Sequence, residues 1–229
     1  MRQRGAALLV VMVMVLLATL LAAGAARTAW FNELITGTDV DHQRAFENAQ
    51  ALLRDAEFDI RGRHPNGAPC REGAGFEGSC RARGMQALAA GQPWFPQEGR
   101  AEFEPVHAWL ASRSPSCAQG ICVADQVMPE FWRQTKGELD KMKAFAARYG
   151  EFTGAPPMLA SNPLLTTKGW YWVEVLPFDT HAPAPAGAEV LAPDPENPFV
   201  FRITTLAEGR KPATRAVLQT LFVWKKVDS

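Results

Sequence analysis

The sequence predicts an α+β protein: a long N-terminal helix packed on a C-terminal antiparallel sheet, with a loop-rich, partly helical insertion between them. Three observations predict it. An uncharged apolar run from Ala6 to Ala26 continues, with no proline before Pro65, into a stripe of apolar residues at three- and four-residue spacing. Proline, glycine and cysteine then become frequent over residues 62–127. Finally, runs rich in aromatic and β-branched residues close the chain at 169–177, 199–205 and 216–224.

The helix comes first. Its apolar run of about 21 residues would extend roughly 30 Å, the thickness of a bilayer's hydrocarbon core. Arg2 and Arg4 precede it and Arg27 follows. That excess, with the terminal amine, puts the N-terminus in the cytoplasm and the remainder outside. Trp30 is placed as an interfacial anchor, and Trp30, Phe31, Leu34 and Ile35 begin the stripe that Ala45, Ala49, Leu52, Leu53, Ala56 and Ile60 continue. Gly24 and Gly37 each cost about 1 kcal/mol relative to alanine, too little to break the helix. The expected helix therefore has a transmembrane half, residues 6–26, and an amphipathic half, residues 27–61. A cleaved secretory signal, cut near Ala23-Gly24-Ala25, is the competing reading. Its apolar core is usually 7–15 residues and has no reason to continue into an amphipathic stripe.

Beyond Gly62 most of the insertion reads as loops. A second helix is expected over about 130–149, opened by Pro129 and stopped by Gly150, with Phe131, Leu139, Met142 and Phe145 buried. In the second strand Phe199, Phe201 and Ile203 share one face. Glu208-Gly209-Arg210-Lys211-Pro212 is a hairpin turn leading to the third. One face of this sheet is expected to cover the stripe of the long helix.

Composition narrows the function classes. Twenty-four basic residues balance 24 acidic ones, so no basic excess points to nucleic acid. Cys70, Cys80, Cys117 and Cys122 all follow the membrane-length run and read as two disulfides in an oxidising compartment. Four cysteines allow three pairings; the short spacings favour Cys70–Cys80 and Cys117–Cys122. Zinc is the competing use. The usual Cys-x2-Cys spacing is absent, and His64 and His107 read as isolated from the cysteines, so no metal is expected.

No phosphate-binding glycine loop, His-Glu-x-x-His helix or Gly-x-Ser-x-Gly elbow is present, and neither a catalytic residue nor a cofactor is expected. Glu102, Glu104 and His181 read as solvated surface, His42 on the long helix as a surface residue or a subunit contact, and His107 as packing beside Trp109. Trp94, Phe95, Trp109 and Trp132 suit either a small core under long loops or a contact surface for a neighbouring subunit or ligand.

A basic leader ending in Gly5, a charge-free stretch opening Ala6-Ala7-Leu8-Leu9, and the amphipathic continuation together resemble a type IV prepilin. Gln3-Arg4-Gly5-Ala6-Ala7-Leu8, Arg44-Ala45-Phe46 and Ala51-Leu52-Leu53-Arg54-Asp55-Ala56-Glu57 are similar to the N-terminal region of PilX-type minor pilins. Phe201-Arg202-Ile203-Thr204-Thr205 and Arg215-Ala216-Val217-Leu218-Gln219-Thr220 resemble the closing strands of that family. The resemblance covers the first 60 and last 30 residues or so; about 65–161 carries no motif of it.

The resemblance implies a leader at 1–5, cut after Gly5 by prepilin peptidase, and an N-methylated Ala6. It implies inner-membrane anchoring, a periplasmic head over 62–229, and association with other minor and major pilins in a pilus. Two residues depart from the pattern: Ala6 replaces the usual bulky apolar terminus, and Val10 stands at the fifth mature position, where most pilins carry glutamate. A minor pseudopilin of type II secretion and a pilus-tip adhesin are the alternative readings.

Overall fold

The computed structural model describes residues 3–70, 80–97, 99–124, 126, 129–133, 136–156, 168–179, 192–211 and 213–225. Helix α1 runs unbroken from Gln3 to Arg61, through both glycines. Every side chain from Ala7 to Val40 is exposed. From Asp41 onward one face turns inward, and Ala45, Ala49, Leu52, Ala56 and Ile60 are buried. Small alanines let the helix lie close to the sheet, because side chains at the contact set the separation of packed elements.

The sheet has five strands in the order β1-β2-β3-β4-β5: Cys117–Ala118, Ile121–Val123, Gly169–Pro177, Phe199–Glu208 and Arg215–Val223. All neighbours are antiparallel except β2 and β3. Alternation sorts the side chains. Tyr171, Val173, Val175, Phe199, Phe201, Ile203, Ala207, Ala216 and Phe222 form one core with the stripe of α1. Trp170, Trp172 and Leu206 join a second, smaller core with Phe131, Leu139 and Met142. The insertion supplies β1 and β2 and two helices, α2 (Met85–Ala89) and α3 (Arg100–Ala111).

Two expectations change. Residues 130–149 are not one helix: a 3₁₀ turn at Phe131–Arg133 precedes α4, Lys136–Ala144. The chain leaves α4 because Ala147 exchanges backbone hydrogen bonds with Tyr171, which turns the segment along the edge of β3. Helix α3 was hidden by Pro105, which lies inside it. At the sixth position of α3 the proline forfeits the one ladder bond that an N–H there would donate to the Ala101 carbonyl, and the helix continues past it.

The β1–β2 turn places Gln119 and Gly120 at φ 48° and 78°, the paired positive values of a tight hairpin. Gly120 also admits no side chain: an added Cβ would lie 2.6 Å from the Cβ of Ala147.

Asp41 joins α1 to the far hairpin. Its carboxylate accepts the backbone N–H groups of Arg210 and Lys211 at 2.8 and 2.9 Å. A Cβ on Gly209 would come within 2.5 Å of the same carboxylate. The two N–H donors hold the Asp41 carboxyl below its ordinary value. A lowered folded-state value contributes stability above the unfolded value and loses it as pH falls. Asp41→Ala should therefore cost about 1–3 kcal/mol at neutral pH, with a smaller loss for Asp41→Asn. In denaturant titrations the gap between wild type and Asp41→Ala should shrink as pH falls through the carboxylate range; a gap independent of pH would contradict the assignment.

Candidate functional site

A buried stripe along α1 needs spacing, not composition, and acids at the right spacing are carried inward with the apolar residues. Asp41, Asp55 and Asp59 fall on the stripe that Ala45, Leu52 and Ile60 define, and all three are buried. Burial of a charge is costly unless it is paired or hydrogen-bonded, and each acid meets a different part of the chain.

Asp59 takes the strongest set. Arg81 of the insertion donates from Nε to Oδ1 and from Nη2 to Oδ2, each at 2.8 Å. The Tyr171 hydroxyl of β3 donates to Oδ2 at 2.7 Å. Arg81 also donates to the Gln119 carbonyl at 2.8 Å, and its guanidinium lies over the Phe152 ring at 3.7 Å. Burial, with the charge of Asp59 beside it, raises the Tyr171 phenol well above its ordinary value, so it stays a donor. The two-pronged Arg–carboxylate geometry is the strong form of this contact.

Asp55, one turn earlier, accepts the Gly150 N–H at 2.8 Å on Oδ2 and the Thr153 hydroxyl on Oδ1. Burial outweighs these bonds and pushes its carboxyl up to about 6. The Thr153 carbonyl in turn accepts from His64 Nδ1 at 2.7 Å. A carbonyl only accepts, so Nδ1 carries a proton.

Opposite that nitrogen, His64 Nε2 lies 3.5 Å from Cys80 Sγ and 3.8 Å from Cys70 Sγ. This corrects the reading of His64 as isolated from the cysteines: the chain after α1 doubles back, with Cys70 N donating to the Gly62 carbonyl at 2.8 Å. The three groups have the types of a soft metal site. The sulfurs are bonded to each other, however, and the thiolate is the form that ligates metal. Cys117 and Cys122 form the other disulfide, facing each other across the β1–β2 hairpin.

The remaining sequence candidates are scattered. Gly5 and Ala6 lie in the first turns of α1. Val10 is 53% exposed on the bare half of the helix, as are Trp30, Phe31, Leu34 and Ile35 further along. Trp94 and Phe95, of the insertion, are 4% and 2% exposed and pack into the main core, with Phe95 edge-on to Phe201 of β4. Trp109 is half-buried under the Arg113 guanidinium at 3.6 Å, and Trp132 is half-buried, edge-on to Phe131. Of the four aromatics, these two keep an accessible face. His107 packs on Phe103, Glu102 accepts the Gln97 N–H, and His181 lies outside the described residues.

The acids therefore act as staples between a helix, a sheet and an insertion. Residues 77–224 match the family described as type IV pilus assembly protein PilX, C-terminal region. The chain belongs to the PilX family. No curated protein and no solved structure matches it. The match makes the chain a type IV pilus-related minor pilin. The PilX region contains every partner just described for the three acids: Arg81, Gly150, Thr153, Tyr171 and the Arg210–Lys211 turn. Helix α1 precedes it, so each staple joins the α1 stalk to the PilX region.

Sequence reading missed Asp41, Asp55, Asp59 and Arg81. The available signal was angular: positions 41, 45, 48, 52, 55, 59 lie on one side of a 3.6-residue helix.

Two results are expected. Arg81→Met should cost about 3–5 kcal/mol, since it strands the Asp59 charge, and Asp59→Asn with Arg81→Met should cost less than the sum of the singles. Additive losses in chemical denaturation would contradict the pairing. Asp55 has a folded-state value raised above the unfolded one, so its stabilising contribution is full below the unfolded value and is lost as pH rises through about 6. Wild type should thus gain stability relative to Asp55→Asn between pH 7 and pH 5. A constant difference would show that Asp55 does not titrate in that window.

Proposed function

We propose that this minor pilin acts at or near the tip of a type IV pilus, in a complex that initiates or caps the filament. The observation that carries the assembly role is the bare half of α1. Its apolar side chains, Leu8 to Leu21, have no partner within the described chain, yet continue without a break into the half that packs. Such a surface is stable in a bilayer or against other apolar helices. Residues 6–26 serve as the inner-membrane anchor, and the sheet-bearing head lies on the periplasmic side. Cleavage after Gly5 leaves the anchor on the mature protein. The function is association, not catalysis, and its partners are other minor and major pilins.

Val10 supports the tip position. In pilins a glutamate at this mature position pairs with the terminal amine of a subunit already in place. A carboxylate in apolar surroundings is costly until it finds a cation, and that cost draws subunits into register. Val10 has nothing to offer a preceding subunit, while its own Ala6 amine can still receive the glutamate of the next. A subunit of this kind suits the top of a stack.

Antibody against the head should label filament ends in electron micrographs; uniform decoration of the shaft would overturn the tip placement. Val10→Glu should spread the label along the shaft. Intact mass should place the mature terminus at Ala6, and a terminus near residue 26 would remove the anchor from the mechanism.

A further inference from the structure

The β4–β5 turn reaches back along α1 to Thr38, where Lys211 Nζ donates to the threonine hydroxyl at 3.0 Å. Gly37 keeps that approach open, since an added Cβ would lie 3.3 Å from the same nitrogen. The turn therefore lies on the side of the head toward the bare half of α1.

That end of the sheet collects cations. Lys168 precedes β3, and its carbonyl accepts the Glu208 N–H at 2.9 Å; register places Arg215 of β5 on the other side of Glu208. Arg210 and Lys211 extend beyond them on the turn. Arg210, Lys211 and Arg215 are exposed, and Lys168 is half-buried with its Nζ donating to the Gly209 carbonyl at 3.1 Å. None of these four side chains forms an ion pair among the described residues. The Glu208 carboxylate is taken by Lys143 of α4. The acids of α1 at this level point elsewhere. Asp41 is buried beneath the turn, and Asp39, two residues earlier, falls on the face of the helix away from the head. Glu33 and Arg27, both nearer the anchor, carry opposite charges.

At the helical rise, Thr38 stands about 12 Å along the axis from Trp30 and about 18 Å from residue 26. The polar headgroup layer occupies about 5–8 Å of that height. Long basic side chains carry their charge outward across part of the remainder. Physiological salt still leaves an attraction over about 8 Å.

We propose that Lys168, Arg210, Lys211 and Arg215 form a docking surface for the anionic phospholipid headgroups of the membrane that holds α1. This docking rests on residues 6–26 being the anchor. The occupant follows from placement: the tether keeps the cations beside a bilayer surface, so its headgroups are present at a high effective concentration. The contact holds the head against the bilayer while the subunit waits there, and is given up when α1 leaves lipid for a filament.

The test uses the full chain in sparsely loaded vesicles, of phosphatidylcholine alone or with about 30 mol% phosphatidylglycerol. Surface amines are acylated with an uncharged, membrane-impermeant reagent and read by mass spectrometry. Labelling of Lys168 and Lys211 should fall at least about threefold in the anionic vesicles, while Lys141 and Lys225, elsewhere on the head, are unchanged. Salt at about 1 M should remove the protection. Each of Arg210→Gln and Arg215→Gln should lower the docked-to-undocked ratio by about fivefold, and Arg215→Lys should restore it. Both leave the backbone N–H groups that Asp41 accepts in place. Equal labelling in the two vesicles, with the chain retained through an alkaline carbonate wash, overturns the docking and leaves the anchor standing. Loss of the chain from neutral vesicles in that wash overturns the anchor itself. Protection that persists at high salt or rises with protein density would assign the surface to a neighbouring pilin head and overturn the lipid contact.

Discussion

Asp59 sits beneath a sheet with its charge removed from water, and the rest of the body is arranged around keeping that charge satisfied. The carboxylate faces Arg81 from the insertion and Tyr171 from β3. Arg81 in turn needs the carbonyl of Gln119 and the ring of Phe152. Helix, sheet, hairpin turn and insertion therefore meet at one group. A hydrophobic contact tolerates small shifts and alternative neighbours; a buried carboxylate does not, because losing Arg81 strands its charge. The stripe of α1 supplies adhesion to the sheet, and the acids within it supply the rotation and register at which that adhesion occurs.

The division of labour along α1 follows from the same physics. Apolar side chains all round, as on its first half, define no single face, and such a helix can rotate in lipid or among other helices. The second half is committed by Asp41, Asp55 and Asp59 to one orientation against the PilX region. A PilX-family pilin thus presents an adaptable surface for assembly and a rigid one for its own head on a single continuous helix. Glu174 and Arg202, paired two-pronged across β3 and β4 at 2.6 Å, do a similar job on the opposite face of the sheet.

Much of the architecture was legible because it rests on local periodicity. The 3.6-residue stripe from Ala45 to Ile60 and the alternation of Phe199, Phe201 and Ile203 each declare one buried face, and the sheet buries them together. What stayed hidden depends on contacts distant in sequence. Nothing near Ala147 announces that it will pair with Tyr171 and end a helix. Trp94 and Phe95 carry no periodic signal, so their burial is decided by the loop's path. The seam was missed for a different reason. Asp55 and Asp59 look like the polar side of an amphipathic helix until their angle is compared with that of Leu52 and Ile60, and the partner of Asp59, Arg81, lies 22 residues beyond it. The proximity of His64 to Cys70 and Cys80 likewise depends on a reversal that spacing alone does not encode.

The order of the strands has a consequence for the chain as it is made. Helix α1 emerges first, but β5, whose Ala216 and Phe222 join the core against its stripe, emerges last. Tyr171 follows Asp59 by 112 residues, and the turn that satisfies Asp41 follows it by about 170. Native closure therefore waits for β5, and a nascent chain stalled before Arg215 has the stripe of α1 covered by β3 and β4 but not by β5. Contacts this distant pay a loop-closure cost before they return any stabilisation. During that interval the stripe of α1 lacks its contacts with Ala216 and Phe222, and the apolar edge of the body stays open until β5 is laid down beside β4.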